Sequence, residues 1–286
     1  MVVNVLSMVL SSTKDVINGY VTPGGPAYYS SLALLFMGFN DFIVVTNEGI
    51  TFSYLRKFGV NTVSSGVGET VFEFRIDGGR TLKLINLGFM NVDRVLDCIS
   101  DCVVISLTLG EIPLNTIKDL VKGRRVVIDV QGFVRSVGSD GLVFNDHYSF
   151  SELAALECEE LVLRGELYEF PNECRGINVP KCVSKFNASI IITGGSGPTY
   201  FSSIDGVLGI IQPPEFIYGN TIGTGDVFTA VFAYNYLILG KSFEEAVALA
   251  TSAASLRIRD LFPWYTINEV RSLGEKLLRL CKRITY

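Results

Sequence analysis

The fold is decided by the stretch Gly219-Asn220-Thr221-Ile222-Gly223-Thr224-Gly225-Asp226-Val227-Phe228. Two glycines separated by one threonine precede an aspartate, and a long apolar segment with helical spacing follows. This pattern predicts a glycine turn that opens a buried helix. The first N–H groups of such a helix have no intrahelical acceptor and lie at the positive end of the helix dipole. They therefore form a site suited to a phosphoryl group.

Asp226 stands within this predicted anion site, where a base is needed to accept the proton of a hydroxyl group. A second interpretation stays open, because aspartate is also a favoured residue for capping a helix N-terminus. If Asp226 is the base, the helix dipole is expected to keep it ionised, with a low pKa. Its contribution would then come from its position, with proton transfer late, as the hydroxyl oxygen bonds to phosphorus.

Segment 220–228 resembles the signature of the ribokinase-like (phosphofructokinase B) carbohydrate kinases, usually written D-T-x-G-A-G-D-x-F. Three weaker motifs of that family follow the expected order: a glycine pair at 24–25, E-x-x-E at 166–169 in place of N-x-x-E, and T-G-G-S-G at 193–197. The resemblance runs from about residue 20 to residue 260. The segment Asp-Val-Gln-Gly-Phe at 129–133 is similar to inositol kinases of the same family.

The resemblance implies an ATP-dependent kinase that transfers the γ-phosphoryl group to a hydroxyl group of a small polyol, with Mg²⁺ as a cofactor. It also implies a catalytic set, a nucleotide-binding set, an acceptor-binding set and a metal pair. The catalytic residues would be Gly223, Thr224, Gly225 and Asp226, and the nucleotide-binding residues Thr193, Gly194, Gly195, Gly197 and Thr221. The acceptor-binding residues would be Gly24, Gly25, Tyr29 and Asp129. The metal ligands would be Glu166 and Glu169.

The weaker motifs also have structural interpretations. The glycines at 194–197 are typical of a plain turn after a strand, and Glu166 and Glu169 of a solvated surface. Asp129 or Arg135 either faces a ligand or only fixes the loop after a predicted strand.

Three features depart from the family pattern. Asn220 replaces an aspartate, and Tyr29 replaces an asparagine that binds sugar hydroxyls in many members. The first strand also lacks the usual Gly–Asp pair, and the chain passes through Ser7, Ser11, Ser12 and Asp15 instead. In addition, Glu166 replaces the asparagine of N-x-x-E. With Tyr28, Tyr29 favours an aromatic pocket suited to a cyclitol such as myo-inositol, with a sugar or a nucleoside as alternatives. The departures also leave open a catalytically silent relative that binds nucleotide or polyol.

Short apolar, β-branched runs alternate with helical segments along most of the chain. Their continuous hydrophobicity predicts a doubly wound α/β fold with a mostly parallel central sheet and helices on both faces. Residues 1–6 are expected to begin the first strand, and alternating residues around a turn at 77–79 predict a hairpin. The resemblance implies a small β lid from segments at about 10–21 and 60–88, within one domain spanning 1–286, and a homodimer through the lid.

The composition of the chain argues against several classes of partner. The 286 residues carry a net charge of −5, which argues against nucleic acid. No apolar run reaches the ~20 residues of a membrane helix, and the first residues lack the features of a signal peptide, so we expect a cytoplasmic protein. Six cysteines and one histidine, His147, do not form a zinc-binding pattern. Buried thiols are expected, and pairing of Cys174 with Cys182 stays open.

Overall fold

The computed structural model describes residues 5–75, 81–146, 150–153, 155–215, 219–259 and 265–284. The predicted turn at 77–79, residues 1–4 of the predicted first strand, and His147 lie outside the described residues. The strands are β1 (Leu6–Leu10), β2 (Thr13–Ile17), β3 (Tyr20–Gly24), β4 (Phe42–Glu48), β5 (Thr62–Val67), β6 (Thr70–Arg75), β7 (Thr81–Asn86), β8 (Cys102–Ser106), β9 (Arg125–Asp129), β10 (Arg135–Val137), β11 (Val143–Asn145), β12 (Glu160–Glu166), β13 (Ser189–Thr193), β14 (Thr199–Ser202), β15 (Leu208–Ile211) and β16 (Lys282–Arg283).

The large sheet contains ten strands in the order β16-β15-β14-β13-β12-β9-β8-β1-β4-β5. Neighbouring strands from β13 to β5 run parallel, and β14, β15 and β16 add antiparallel pairs at one edge. Every residue of β1 is buried, with Leu6, Met8 and Leu10 in one hydrophobic core and Val9 in another on the opposite face. Burial on both faces explains the continuous apolar runs. The predicted fold class is confirmed.

Helices cover both faces of this sheet. They are α1 (Gly25–Phe36), α2 (Ile50–Lys57), α3 (Leu114–Val121), α4 (Gln131–Val134), α5 (Phe150–Leu153), α6 (Val179–Phe186), α7 (Thr224–Ala233), α8 (Phe243–Arg259) and α9 (Ile267–Arg279). Helices α1, α7, α8 and α9 contribute to the first core, whereas α3 and α6 contribute to the second. Within the described residues, no helix combines the length and the apolar character needed to cross a membrane.

A separate four-stranded sheet forms the lid, in the order β3-β2-β6-β7. Strands β2 and β6 pair in parallel, and the other two pairs are antiparallel. The predicted lid boundaries need correction, because β5 lies within the segment 60–88 but pairs with β4 in the large sheet. The first lid segment also continues past residue 21 through β3, whose partner is β2.

The pairing of Cys174 with Cys182, left open by the sequence, is present, and the expectation of buried thiols holds for Cys102 but not for the exposed Cys98 or the half-buried Cys158 and Cys281. Cys174 and Cys182 form a disulfide with their Cα atoms 5.5 Å apart, which joins a short 3₁₀ turn to α6. Both residues are buried in the second core. The disulfide therefore fixes the segment that follows β12.

Candidate active site

A cavity of about 410 Å³ lies between the lid and the large sheet. It opens where β9 and β12 end, the edge at which sheets of this type bind ligands. Its lining includes Thr13, Asp15, Gly25, Tyr29, Phe72, Phe74, Thr108, Gln131, Arg135, Phe144, Asn145, Arg164, Glu166, Thr221, Gly223, Thr224, Gly225 and Asp226. The start of α7, predicted from sequence to bind an anion, therefore faces this cavity.

The glycine turn before α7 has the predicted form. Gly223 is the N-cap residue and adopts a left-handed conformation with φ of 80°. The N–H of Val227 donates to the carbonyl of Gly223 at 3.0 Å, which begins the helix. The N–H groups of Gly225 and Asp226 precede that first helical bond and have no α-helical acceptor, whereas the Thr224 N–H donates to the Thr221 carbonyl at 3.3 Å. All three residues line the cavity.

Close neighbours explain why both signature positions are glycine. A side chain at Gly223 would collide with the ring of Tyr29, which lies directly against the turn. A Cβ atom at Gly225 would lie 2.8 Å from Nη1 of Arg164. The glycines thus let the backbone of the turn approach both the cavity wall and a buried guanidinium group.

Asp226 lines the cavity and is 9% exposed. Its backbone carbonyl accepts a hydrogen bond of 2.9 Å from Ser30 Oγ on α1, which fixes the helix start. Burial raises the pKa of Asp226 to about 7, and the nearby Asp129 carboxylate adds to the rise. The predicted low pKa is therefore corrected, because desolvation of the carboxylate outweighs the helix dipole.

A buried ion pair supports the floor of the cavity. Arg164 Nη1 donates to Asp129 Oδ2 at 2.7 Å, and Nη2 donates to Thr193 Oγ1 at 2.9 Å. Thr229 Oγ1 on α7 donates to the same Asp129 oxygen at 2.9 Å. Asp129 is fully buried and is absent from the cavity lining, so the expectation that it binds the acceptor is corrected. It instead ties β9, β12 and α7 together.

The two predicted metal ligands occupy different places. Glu166 lines the cavity, whereas the Glu169 side chain is buried and is not part of the lining. Glu169 accepts hydrogen bonds from the Glu166 N–H at 2.8 Å and from Arg135 Nη2 at 3.4 Å. Burial raises the pKa of Glu169 to about 7. Among the described residues, no group of three or more His, Cys, Asp or Glu side chains is arranged to hold a metal ion.

The turn predicted to bind nucleotide does not line this cavity. Within the segment 193–197, the Gly197 N–H donates to the Gly194 carbonyl at 3.0 Å, and Gly195 has a φ of 66°. The segment joins β13 to β14, which pair in antiparallel fashion. Its glycines are therefore accounted for by the turn itself, and only Thr193 reaches the floor network, through Arg164. Thr221, also predicted to bind nucleotide, does line the cavity.

The acceptor end of the cavity contains residues that sequence analysis did not assign. Asp15 lines it and is held by a hydrogen bond of 2.6 Å from Thr13 Oγ1 to Oδ1. Gly25 and Tyr29 line it as predicted, whereas Gly24 does not and instead packs against Asp15. Arg135, left open between two roles, lines the cavity. Asp15 was not assigned to the site from the sequence, because the Gly–Asp pair of the family's first strand is missing here.

The chain is similar to known proteins both in a segment of its sequence and in its three-dimensional fold. A family model described as pfkB family carbohydrate kinase matches residues 166–261. This segment contains Glu166, the turn at 193–197 and the complete 223–226 turn with Asp226. No protein of curated function matches the sequence.

Solved structures match nearly the whole chain. A pyrophosphate-dependent myo-inositol-1 kinase, converted by two mutations into a myo-inositol-3 kinase, has a TM-score of 0.74 and 21% identity over 96% of this chain and 99% of that chain. A pyrophosphate-dependent kinase of the ribokinase family, complexed with a pyrophosphate analog and myo-inositol, has a TM-score of 0.71 and 21% identity over 93% and 99%. Ribokinase from Thermotoga maritima has a TM-score of 0.67 and 18% identity over 95% and 99%.

At these identities the matches establish a shared fold, so the predicted ribokinase-like fold is confirmed. The pfkB match confirms the predicted family for the part of the chain that holds the glycine turn. The relatives are carbohydrate and inositol kinases, which are phosphotransferases with alcohol acceptors. That is the enzyme class predicted from the sequence.

Proposed function

We propose that the protein is a kinase that transfers a phosphoryl group from a phosphate donor to a hydroxyl group of a small polyol. The observation that carries this proposal is the position of Asp226, a buried carboxylate that lines the cavity next to the glycine turn at 223–225. A base beside N–H groups that bind an anion supplies the two elements that phosphoryl transfer requires. A pKa of about 7 suits a base that works near neutral pH.

In the proposed reaction, a hydroxyl group of the acceptor lies against Asp226, and the donor phosphate lies over the start of α7. The acceptor oxygen forms a bond to phosphorus while the bond from phosphorus to the leaving oxygen breaks. The hydroxyl proton passes to the Asp226 carboxylate. The N–H groups of Gly225 and Asp226 stabilise the charge on the transferred group, and closure of the lid excludes water.

Glu166 fits the proposed Mg²⁺, since this ion commonly binds through one or two carboxylates together with waters and substrate phosphates. When bound, Mg²⁺ would neutralise charge on the donor phosphates. Glu169 would act through its hydrogen bond to the Glu166 N–H, which orients the backbone at the end of β12. This assignment keeps Glu166 as a ligand and makes Glu169 a positioning residue.

ATP is the proposed donor, because the pfkB resemblance implies it. Pyrophosphate is the second candidate, and a specific observation favours it. The glycines at 194, 195 and 197, expected to contact a nucleotide, do not line the described cavity. Two of the structurally similar proteins are pyrophosphate-dependent kinases.

The proposed acceptor is a cyclitol such as myo-inositol, with a sugar or a nucleoside as alternatives. Rings of Tyr29, Phe72 and Phe74 offer apolar surface to the C–H faces of a flat polyol. Asp15 and Gln131 offer hydrogen-bonding groups for its hydroxyls. One similar structure contains myo-inositol.

The test is a panel of polyols, sugars and nucleosides assayed with ATP and with pyrophosphate. Release of ADP or of phosphate should depend on one class of acceptor and should be lost in Asp226→Asn. A chain that gives no acceptor-dependent release with either donor, but whose melting temperature rises with nucleotide or polyol, would instead be the catalytically silent binder.

A further inference from the structure

The hairpin formed by β10 and β11 is a part of the cavity wall that belongs neither to the glycine turn nor to the four strands of the lid. Its second strand and the residue before it, at positions 142–145, all line the cavity. Phe144 is half exposed, and Asn145 is exposed as well, so both side chains are available to a ligand in the cavity. The hairpin and the Asp226 turn line the same cavity, in which the proposed acceptor would lie.

This hairpin is joined to the lid. The Leu84 N–H on β7 donates to the Gly141 carbonyl at 2.9 Å, and Lys83 pairs with Leu142 in an isolated antiparallel bridge. Val143 packs against the cluster of Phe72, Phe74 and Leu109 beneath the lid. The hairpin therefore continues the lid sheet beyond β7, its edge strand.

The same hairpin is also joined to the body of the protein. The Asp146 N–H donates to the Val134 carbonyl at 2.9 Å, and the hydroxyl of Ser136 bonds to the Asp146 carboxylate. Asn145 Nδ2 lies 3.5 Å from the Tyr168 carbonyl, which belongs to the turn between Glu166 and Glu169. Because it bonds to both lid and body, the hairpin sets the width of the cavity between them.

We propose that the β10–β11 hairpin is a specificity-determining element of the kinase, whose Phe144 and Asn145 contact the acceptor and limit its size. This inference rests on the proposed function. The Asn145 amide carries both donor and acceptor atoms, so it can bond to a polyol hydroxyl in either direction. The Phe144 ring supplies apolar surface at the rim of the cavity, where a larger acceptor would need to pass.

Phe144→Ala and Asn145→Leu test the proposal, with Val137→Ala as the matched control. Val137 lies on the same hairpin and is similarly exposed, but it does not line the cavity. We expect each test variant to raise KM for the preferred polyol about tenfold, with kcat at saturating polyol changed less than threefold. Phe144→Ala should also raise relative kcat/KM for acceptors larger than the preferred one. The control should leave both parameters unchanged.

Unchanged KM and unchanged acceptor ranking in both test variants would overturn the proposal while leaving the kinase assignment intact. If the unaltered chain turns over no acceptor, the proposed function fails, and calorimetric binding of myo-inositol replaces KM. Tenfold weaker polyol binding in the two test variants then still supports the hairpin as a recognition element. Equal binding in all variants, or no binding in the unaltered chain, rejects it.

Discussion

Two glycine-rich turns in this chain look alike in sequence and differ in what surrounds them. The turn at 194–197 closes a hairpin on itself, and space around Gly195 is open within 4 Å. In the turn at 223–225, Gly223 lies against the Tyr29 ring and Gly225 against Arg164. Only the second turn lines the cavity. The glycines of the first turn are explained by contacts and backbone geometry within the turn, whereas those of the second are also approached closely by side chains from elsewhere in the fold, and that approach marks the site here.

Arg164 connects the two turns, which makes their difference testable. Its Nη1 lies under Gly225, and its Nη2 bonds to Thr193, the residue before the other turn. We therefore expect substitutions in the turn at 223–226 to lower turnover, and substitutions at Thr193 and in the turn after it to change only the free energy of unfolding.

The largest expected effect is that of Asp226→Asn on turnover. The amide keeps the shape of the side chain but cannot accept the hydroxyl proton, so kcat should fall by ~10²–10⁴-fold. Binding of donor and acceptor, measured by calorimetry, should stay within a few-fold of the unaltered protein. Retention of full turnover would mean that Asp226 is not the base; it is not the helix cap either, because Gly223 is the N-cap residue and no side chain caps α7.

Arg164→Met should destabilise the fold by about 3–5 kcal/mol, because it leaves the buried Asp129 carboxylate without its partner. Urea denaturation measures the free energy of unfolding. Thr193→Val is the matched control, since it removes one hydrogen bond to the same guanidinium group and should cost about 1 kcal/mol. Equal small losses in both variants would show that the ion pair does not hold the two turns together.

Asp226 should also affect how stability depends on pH. Its folded-state pKa of about 7 lies above the ordinary value of 3.8, so the folded protein retains a proton that the unfolded chain loses. Its contribution to stability therefore falls as pH rises from about 4 to 7. Asp226→Asn lacks this penalty and should be roughly 2–4 kcal/mol more stable at pH 8, relative to the unaltered protein, than at pH 4. A stability difference that does not vary with pH would contradict the raised pKa.

The smallest effect distinguishes the two turns most cleanly. Gly225→Ala brings a methyl group against the Arg164 guanidinium and should displace the turn, lowering kcat roughly tenfold to 10²-fold. Gly195→Asn meets open space, and asparagine tolerates the left-handed conformation at that position. Its kcat should be unchanged. A similar loss of turnover in both variants would return the 194–197 turn to the active site.

Much of the fold and part of the site could be predicted from the sequence, for reasons that particular residues illustrate. Strands β1 and β8 are buried throughout and apolar except for Ser7 and Ser106, because both faces of the sheet are covered, and such a pattern can be recognised in the sequence. The 223–226 turn was predictable because its glycines, aspartate and helix are contiguous. The raised pKa of Asp226 was not predictable from the sequence, because it depends on burial of the carboxylate and on Asp129, which lies 97 positions earlier in the chain.

The β10–β11 hairpin was missed although its turn, Gly138-Ser139-Asp140-Gly141, carries a usable signal. Its strands have only three residues each, and their partners on the lid are remote in sequence. Asp129 was assigned to the acceptor because it ends a strand at the correct edge of the sheet. Its partner Arg164 lies 35 positions away, and only their contact reveals a structural role.

The most direct measurement is the pH profile of kcat/KM for the preferred acceptor. If Asp226 is the base, the profile should have an acid limb with an apparent pKa near 7, falling tenfold per pH unit below it. The limb should persist in Glu169→Gln, which removes the other buried carboxyl whose pKa is about 7. A profile that is flat from pH 5 to pH 8, or a limb that disappears in Glu169→Gln, would contradict the assignment of Asp226.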